Sequence, residues 1–351
     1  MTAPSRPDGL SDLARQVDGA EWGGWIRGAW NEEGGHPLRG AGPTVLFLHG
    51  TGGNRETWRP VLSALGTEAS GWNLLLPDLP GHGQTRCRQH AQHGLREMAH
   101  DLQRLLSSLG IHRVDLVVGH SAGAAVGIWL SLLNAGTGAS SLRHPSPLVT
   151  PTDARCPSAQ ADSASPTAVP LSIGQIIGVA PSLVPPPSLY NLLLGPLLNP
   201  VFVSGLSVST ITLLARNTRM VDRLIQSTGS KIPQSQLDTY RQLFREEQHV
   251  RGAIEFMAGT DLPELLRRGP ALTATLDLLI AEDDPWIPAR ALRGIAAEHF
   301  PKAQLHFCQG GHLVHEADPR PLANLLVQAI TNQAATLHQA NHANLQLTQN
   351  L

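Results

Sequence analysis

Short apolar runs alternate with amphipathic stretches along the first part of the chain. The runs at residues 44–48, 72–76 and 114–118 have the length and the mainly apolar composition of buried strands. Residues 95–109 carry leucine and methionine at helical spacing, and residues 124–133 also have the pattern of a helix. Strands that alternate with helices predict a mainly parallel, doubly wound sheet with helices on both faces.

The same pattern returns later in the chain, but two stretches interrupt it. Residues 171–179, 276–281 and 303–308 are further strand-like runs. Residues 134–170 are rich in Ser, Ala, Thr and Pro and have little apolar periodicity, which predicts a flexible surface insertion. Residues 163–215 contain no Asp, Glu, Lys or Arg, so this part of the chain is unlike the rest.

A serine stands where the strand at residues 114–118 gives way to the helix at residues 124–133. Residues 119–123 read GHSAG, with glycines two positions before and after Ser121. At a sharp strand-to-helix turn the neighbouring chain lies so close that a side chain at either glycine would collide with it. This pattern is typical of the nucleophile elbow of α/β hydrolases, which projects the serine hydroxyl above the sheet edge.

A loop with three acidic residues follows the strand-like run at residues 276–281. It reads EDDPWIP over residues 282–288 and lies at the carboxyl end of the predicted strand. In this fold the chain order is serine, then acid, then histidine. We select Asp284 as the acid, because its spacing to the next helix places its side chain over the sheet edge. Asp283 is the alternative.

The histidine of such a triad is expected after the strand-like run at residues 303–308. There, two glycines precede His312 and indicate a loop that swings the imidazole over the elbow. Ser121 would attack a carbonyl carbon, and His312 would take its proton and return it to the leaving group. Asp284 would fix the imidazole tautomer and stabilise the imidazolium.

An oxyanion hole is also required, and residues 48–53 (LHGTGG) provide one after the strand at residues 44–48. We expect its donors to be the backbone amides of Thr51 and Ala122. The glycine-rich loop lacks the Gly-Lys-Ser/Thr ending of a phosphate-binding loop.

Other histidines near these motifs are predicted to serve in turns, packing or support of the site. They are His49, His82, His120 and His315. No pair of them has the spacing of a metal site, and the acidic loop lacks the glycine and later glutamate of a calcium loop. We therefore expect no metal and no cofactor.

The segment between the elbow and the acidic loop predicts a helical cap over the catalytic edge. Its helices are expected near residues 220–227, 234–245 and 250–258. Its charge-free half would pack on itself, line a pocket for a bulky apolar ligand, or rest on a membrane surface. The predicted domains are a hydrolase core at residues 1–181 and 263–333, a cap at residues 182–262, and a polar tail at residues 334–351.

Composition limits the class of protein. At 351 residues the chain exceeds the ~250 residues of a single α/β unit, which leaves room for an inserted cap. Its net charge of -2 gives no reason to expect nucleic acid as a partner. Cys87, Cys156 and Cys308 are odd in number and scattered, which indicates reduced thiols and a cytoplasmic protein. Residues 1–20 have no apolar segment of a secretory signal.

Four segments of the chain resemble the α/β-hydrolase superfamily. They are residues 49–52 (HGTG), 77–83 (PDLPGHG), 118–125 (VGHSAGAA) and 310–316 (GGHLVHE). The resemblance covers about residues 20 to 330 and implies the α/β-hydrolase fold with an inserted cap.

The cap sequence resembles one branch of that superfamily, the magnesium-chelatase accessory hydrolases encoded with bacteriochlorophyll biosynthesis enzymes. Residues 221–230 (VDRLIQSTGS), Tyr240 and residues 249–253 (HVRGA) carry this resemblance. It implies a role near magnesium insertion into protoporphyrin IX, with magnesium chelatase as a partner and a tetrapyrrole as a ligand that suits an uncharged cap.

Three functions remain open on the sequence alone. The first is a serine hydrolase that acts on an ester or related acyl bond of a hydrophobic substrate, with a tetrapyrrole as one candidate. The second is a non-catalytic magnesium-chelatase accessory protein that binds a porphyrin. The third is a carbon-carbon hydrolase or cofactor-free haloperoxidase. Dehalogenases and epoxide hydrolases of this fold have aspartate at the elbow, so Ser121 argues against both.

Overall fold

A twisted sheet of eight strands organises the described part of the chain. The computed structural model describes residues 6–28, 42–86, 94–135, 170–184 and 218–349. The strands are β1 (Ser11–Val17), β2 (Ala20–Arg27), β3 (Thr44–Leu48), β4 (Asn73–Pro77), β5 (Arg113–His120), β6 (Ser172–Val179), β7 (Thr275–Ala281) and β8 (Gln304–Cys308).

The strands lie side by side in the order β1-β2-β4-β3-β5-β6-β7-β8. The hairpin of β1 and β2 joins β4 in antiparallel fashion, and all pairs from β4 to β8 are parallel. Parallel neighbours need crossover connections, which here contain helices. The predicted mainly parallel α/β-hydrolase sheet is therefore confirmed.

Helices cover both faces of this sheet. They are α1 (Arg59–Leu65), α2 (Leu95–Ser108), α3 (Ala122–Ala135), α4 (Thr218–Ser227), α5 (Gln234–Leu243), α6 (Glu247–Ala258), α7 (Leu262–Arg268), α8 (Ala289–His299), α9 (Val314–Ala317) and α10 (Arg320–Gln349). Within the described residues, a large hydrophobic core lies on each face of the sheet. In β3, Leu46 and Leu48 belong to one core and Val45 and Phe47 to the other, as the alternation of side chains along a strand requires.

Within the described residues between β6 and β7, the chain forms four helices, α4 to α7. Three of them occupy the stretches where the sequence predicts cap helices, with ends that differ by a few residues. The division into core and cap stays a prediction. Residues 185–217, which include most of the charge-free stretch, and residues 136–169 of the predicted insertion lie outside the described residues.

The last helix, α10, extends through most of the predicted polar tail. Its first part packs on the core through Leu322, Leu325 and Leu326, and residues 334–349 of the predicted polar tail continue the same helix. None of the helices in the described ranges combines the length and the apolar character needed to cross a membrane.

Candidate active site

Ser121 lies at the turn between β5 and α3. Its φ of 50° is positive, a conformation that residues other than glycine rarely adopt. The turn is held by backbone hydrogen bonds, since the Ser121 amide donates to Val179 at 2.9 Å and the Ser182 amide donates to the Ser121 carbonyl at 3.1 Å. The strained backbone is thus fixed by β6 and the residues that follow it.

The two glycines of the turn are required by close contacts. A Cβ on Gly119 would lie 2.5 Å from the Cα of Ala124, and one on Gly123 would lie 2.3 Å from the carbonyl oxygen of Leu48. Both neighbours are backbone atoms, which cannot rotate away. The steric reason inferred from the sequence pattern therefore matches the geometry of this turn.

The structure brings Ser121, His312 and Asp284 together in one chain of hydrogen bonds. Nδ1 of His312 lies 2.7 Å from Oδ2 of Asp284, and Nε2 lies 3.0 Å from Oγ of Ser121. Because a carboxylate only accepts, Nδ1 carries the proton and Nε2 presents its lone pair to the serine hydroxyl. This is the arrangement in which an imidazole can act as a general base.

Asp284 and Asp283 have different environments. Oδ1 of Asp284 accepts the backbone amides of Trp286 at 2.8 Å and Ile287 at 3.0 Å, which leaves Oδ2 for His312. Asp283 instead accepts the exposed amide of Gly310 at 3.1 Å. Of the two acids that the sequence leaves open, only Asp284 contacts His312 among the described residues.

The His312 loop is held by groups from other elements. The His312 amide donates to the carbonyl of Thr228 at 2.8 Å, and the Leu313 amide donates to Oγ of Ser230 at 2.8 Å. Nε2 of His120 donates to the His312 carbonyl at 2.9 Å. Sequence reasoning did not assign Thr228 and Ser230 to the site. Their only signal was membership of the cap stretch that resembles one branch of hydrolases.

The loop that carries Thr51 forms a tight turn next to Ser121. The Gly50 carbonyl accepts the Gly53 amide at 3.1 Å and Nδ1–H of His49 at 2.8 Å. Thr51 and Ala122, the predicted oxyanion donors, both line the cavity that reaches Ser121. Their assignment as donors stays a prediction.

A cavity of about 130 Å³ opens onto Ser121 and His312. A smaller cavity of about 50 Å³ lies between the Gly50–Gly53 turn and helices α4 and α5 and reaches the same two residues. The larger cavity is mostly apolar; its apolar lining residues are Leu95, Ala122, Ala125, Val184, Met257, Trp286 and Ile287. Such a lining favours a hydrophobic substrate.

Several histidines around the site are neutral for a common reason. Burial lowers the pKa of His49 and His120, and it lowers the pKa of His249 to about 4 and that of His315 to about 3. The rings of His120 and His315 pack with centroids 4.2 Å apart. His49 and His120 bind backbone groups, in agreement with the predicted turn and support roles.

Histidine and acidic side chains do not gather into a metal site in the ranges that the structure describes. No group of three or more His, Cys, Asp or Glu residues there could hold a metal ion. Cys308, the one cysteine inside those ranges, is a buried free thiol.

The sequence profile of the Alpha/beta hydrolase family matches residues 45–325. The chain belongs to this family. The match includes the elbow, the acidic loop and the His312 loop of this hydrolase. The chain is also 27% identical over 288 residues to the magnesium-chelatase 30 kDa subunit of Rhodobacter capsulatus. This alignment covers 82% of this chain and 86% of the relative.

Solved structures of other hydrolases share the fold. The epoxide hydrolase CorEH superposes with a TM-score of 0.64 at 15% identity, covering 92% of this chain and 99% of the other. The enol-lactonase from Burkholderia xenovorans LB400 superposes with a TM-score of 0.60 at 15% identity, covering 91% of this chain and 100% of the other. At this identity the similarity establishes the fold of the hydrolase and not its substrate.

Proposed function

We propose that the protein is a serine hydrolase that cleaves an ester or related acyl bond of a hydrophobic substrate. The observation that carries the proposal is the hydrogen-bond chain from Ser121 through His312 to Asp284 at the base of an apolar cavity. All three side chains are buried, which favours strong electrostatic interactions between them.

Each residue has a definite role in the proposed reaction. His312 takes the proton of Ser121 as the hydroxyl attacks the substrate carbonyl carbon. The amides of Thr51 and Ala122 stabilise the oxyanion that forms. His312 then protonates the leaving group, and Asp284 stabilises the imidazolium. Water then attacks the acyl-enzyme while His312 takes its proton. His312 returns that proton to Ser121 as the acid leaves.

We extend the proposal to bacteriochlorophyll biosynthesis at the magnesium-chelatase step. The similarity to the Rhodobacter capsulatus magnesium-chelatase subunit supports this extension. Porphyrin propionate esters are then candidate substrates, since they combine an acyl bond with a large apolar ring. Magnesium chelatase is the candidate partner, the cytoplasm the candidate location, and residues 182–262 the candidate segment for peripheral membrane contact.

A non-catalytic accessory protein is the second candidate function. The name of the Rhodobacter capsulatus relative, a subunit of a chelatase, favours it. In that case the cavity beside Ser121 would bind or deliver a porphyrin, and the serine would not be used. Porphyrin fluorescence quenching measures binding separately from catalysis, with Met257→Trp as the variant that narrows the cavity.

The experiment that tests the proposal is the intact mass of the protein after incubation with a fluorophosphonate. The native chain should gain one adduct, and Ser121→Ala and His312→Ala should gain none. A folded native protein that forms no adduct would refute the serine-hydrolase proposal. In a strain that lacks the gene, Ser121→Ala should fail to restore pigment synthesis under the first function and should restore it under the second.

A further inference from the structure

Helix α6 of the predicted cap docks against the loop that follows β4. The side chain of Gln248 donates to the carbonyl of Thr85 at 3.0 Å. Gly252 approaches so closely that a Cβ there would lie 2.3 Å from the carbonyl oxygen of Gly81. This contact holds the N-terminal half of α6 at a fixed distance from the catalytic edge of the sheet.

One side chain of α6, His249, connects this loop to the turn beside Ser121. It is 1% exposed. Its Nδ1 accepts the amide of Gly83 at 3.1 Å, and its Nε2 lies 3.1 Å from the carbonyl oxygen of Gly52. A carbonyl only accepts, so Nε2 must donate. Both bonds coexist only in the neutral tautomer with the proton on Nε2.

The Gly52 carbonyl is coupled to the Thr51 amide through two peptide planes. The carbonyl of Gly52 and the amide of Gly53 belong to one rigid, planar peptide unit. The Gly53 amide donates to the carbonyl of Gly50 at 3.1 Å. That carbonyl and the Thr51 amide belong to a second planar unit, in which the amide points the opposite way. The bond from His249 therefore helps to set the direction of the Thr51 amide.

We propose that His249 is a positioning residue that lets the cap orient the Thr51 amide of the oxyanion hole. The inference rests on the proposed hydrolase function, in which that amide stabilises the transition state. It gives His249, the first residue of the 249–253 stretch of the predicted cap, a role in catalysis that is separate from substrate binding. It also makes the hydrogen bond from His249 to the Gly52 carbonyl a condition for full catalytic rate.

The surroundings of His249 keep it in the required protonation state. Burial is the main cause that lowers its pKa to about 4, and the neighbouring His49 acts in the same direction. The bond to Gly52 and the carboxylate of Asp78 act in the opposite direction but are weaker. The rings of His82 and Phe244 pack against the imidazole. Near neutral pH both hydrogen bonds are therefore available.

Two substitutions separate positioning from general packing. His249→Gln retains one donor and one acceptor in a side chain of similar length, whereas His249→Leu removes both. Gln248→Leu is the matched control, because it removes a bond of the same helix to Thr85 and leaves the Thr51 turn untouched. Circular dichroism and thermal melting establish that each variant is folded.

The probe is an aliphatic trifluoromethyl ketone, which forms a hemiketal with an activated serine and places its oxygen in the oxyanion hole. The matching methyl ketone measures cavity binding without the oxyanion. His249→Leu should lose about 10–100-fold in affinity for the trifluoromethyl ketone, less than the 10²–10³-fold rate cost of deleting a donor outright. Its affinity for the methyl ketone, and the KM for a p-nitrophenyl ester, should stay near those of the native protein while kcat falls.

The remaining variants complete the test. His249→Gln should recover most of the lost affinity, and Gln248→Leu should match the native protein. Equal losses for both ketones in His249→Leu, or no loss at all, would overturn the inference while the hydrolase function stands. A native protein that forms no hemiketal and no fluorophosphonate adduct would refute the proposed function and the inference with it.

Discussion

The hydroxyl of Tyr240 donates a hydrogen bond of 2.7 Å to Oε1 of Glu316, and both side chains are buried. Tyr240 is on α5 in the predicted cap, and Glu316 follows His312 by four residues. Burial raises the pKa of Glu316 to about 8, so its carboxyl is protonated at neutral pH. His315 Nε2, 3.9 Å from Oε1, belongs to a neutral imidazole, so this contact is not an ion pair at that pH.

Glu316 should make the stability of the protein depend on pH in a specific direction. Its folded pKa lies above its ordinary value of 4.5, so between pH 4.5 and 8 the folded state holds a proton that the unfolded state releases. This stabilising contribution is complete below pH 4.5 and is lost as the pH rises through about 8. Glu316→Gln cannot ionise and keeps an acceptor for Tyr240.

We expect the melting temperature of Glu316→Gln to fall less than that of the native protein between pH 5 and 8.5. Thermal melts across that range measure the difference. Glu68→Gln, at an exposed position, is the control and should follow the native curve. Parallel curves for the native protein and Glu316→Gln would show that Glu316 does not bind a proton on folding.

Asp284→Asn should abolish most of the activity, because an amide can donate to Nδ1 and stabilise the wrong imidazole tautomer. The expected loss in kcat is on the order of 10³-fold or more. Asp283→Asn is the matched control, since its side chain makes an exposed bond to Gly310 worth about 1 kcal/mol. Steady-state rates on a p-nitrophenyl ester compare the two. A larger loss in Asp283→Asn would reassign the acid.

Gly123→Ala should prevent the elbow from forming. The new Cβ would lie 2.3 Å from the Leu48 carbonyl oxygen and 2.5 Å from that of His49, so α3 would have to move away from β3. Such overpacking costs about 1–3 kcal/mol or more, and the shift misplaces Ser121. Fluorophosphonate labelling should be lost and the melting temperature should fall.

Gly294→Ala provides the control for that prediction. Gly294 is inside α8, and a Cβ there would meet no atom within 4 Å. Alanine in a helix is more favourable than glycine by about 0.5–1 kcal/mol. The variant should therefore be slightly more stable than the native protein and label at the native rate. If Gly123→Ala behaved in the same way, the close contact at the elbow would not restrict the turn.

The parts of the fold that the sequence predicts well are the strands buried on both faces. β3 coincides with the predicted residues 44–48, because five consecutive buried residues, four of them apolar, leave little choice of structure. β1 was missed for the opposite reason. Most of its side chains are exposed, and only Leu13 is buried in the strand, so the sequence lacks a hydrophobic pattern there. β1 is held in the sheet by its antiparallel pairing with β2, and this pairing is not visible as an apolar pattern in the sequence.

The candidate site also has one part that the sequence predicts and one part that it does not. Ser121, Asp284 and His312 stand in short motifs at strand ends, and a motif can be read from neighbouring residues. The groups that hold these three residues in place cannot be identified from neighbouring residues. Ser230 and Leu313, and His249 and Gly52, are far apart in sequence, and their contacts exist only in the folded chain. Nothing local in the sequence indicates which serine or histidine between β6 and β7 makes such a contact.

Ser230→Ala should weaken the His312 loop. Oγ of Ser230 accepts the buried amide of Leu313 at 2.8 Å, and its removal leaves that amide without this acceptor, at a cost of about 1–3 kcal/mol. Because Leu313 follows His312 directly, the imidazole should also hold its position less well against Ser121.

The expected result for Ser230→Ala is a lower melting temperature together with a lower kcat and an unchanged KM. Ser227→Ala is the matched control, since its hydroxyl makes an exposed bond within α4, to the Leu224 carbonyl at 2.7 Å. It should stay within about 0.5 kcal/mol of the native stability and keep the native kcat. A drop in stability without a drop in kcat would mean that Ser230 stabilises the loop but does not set the position of His312.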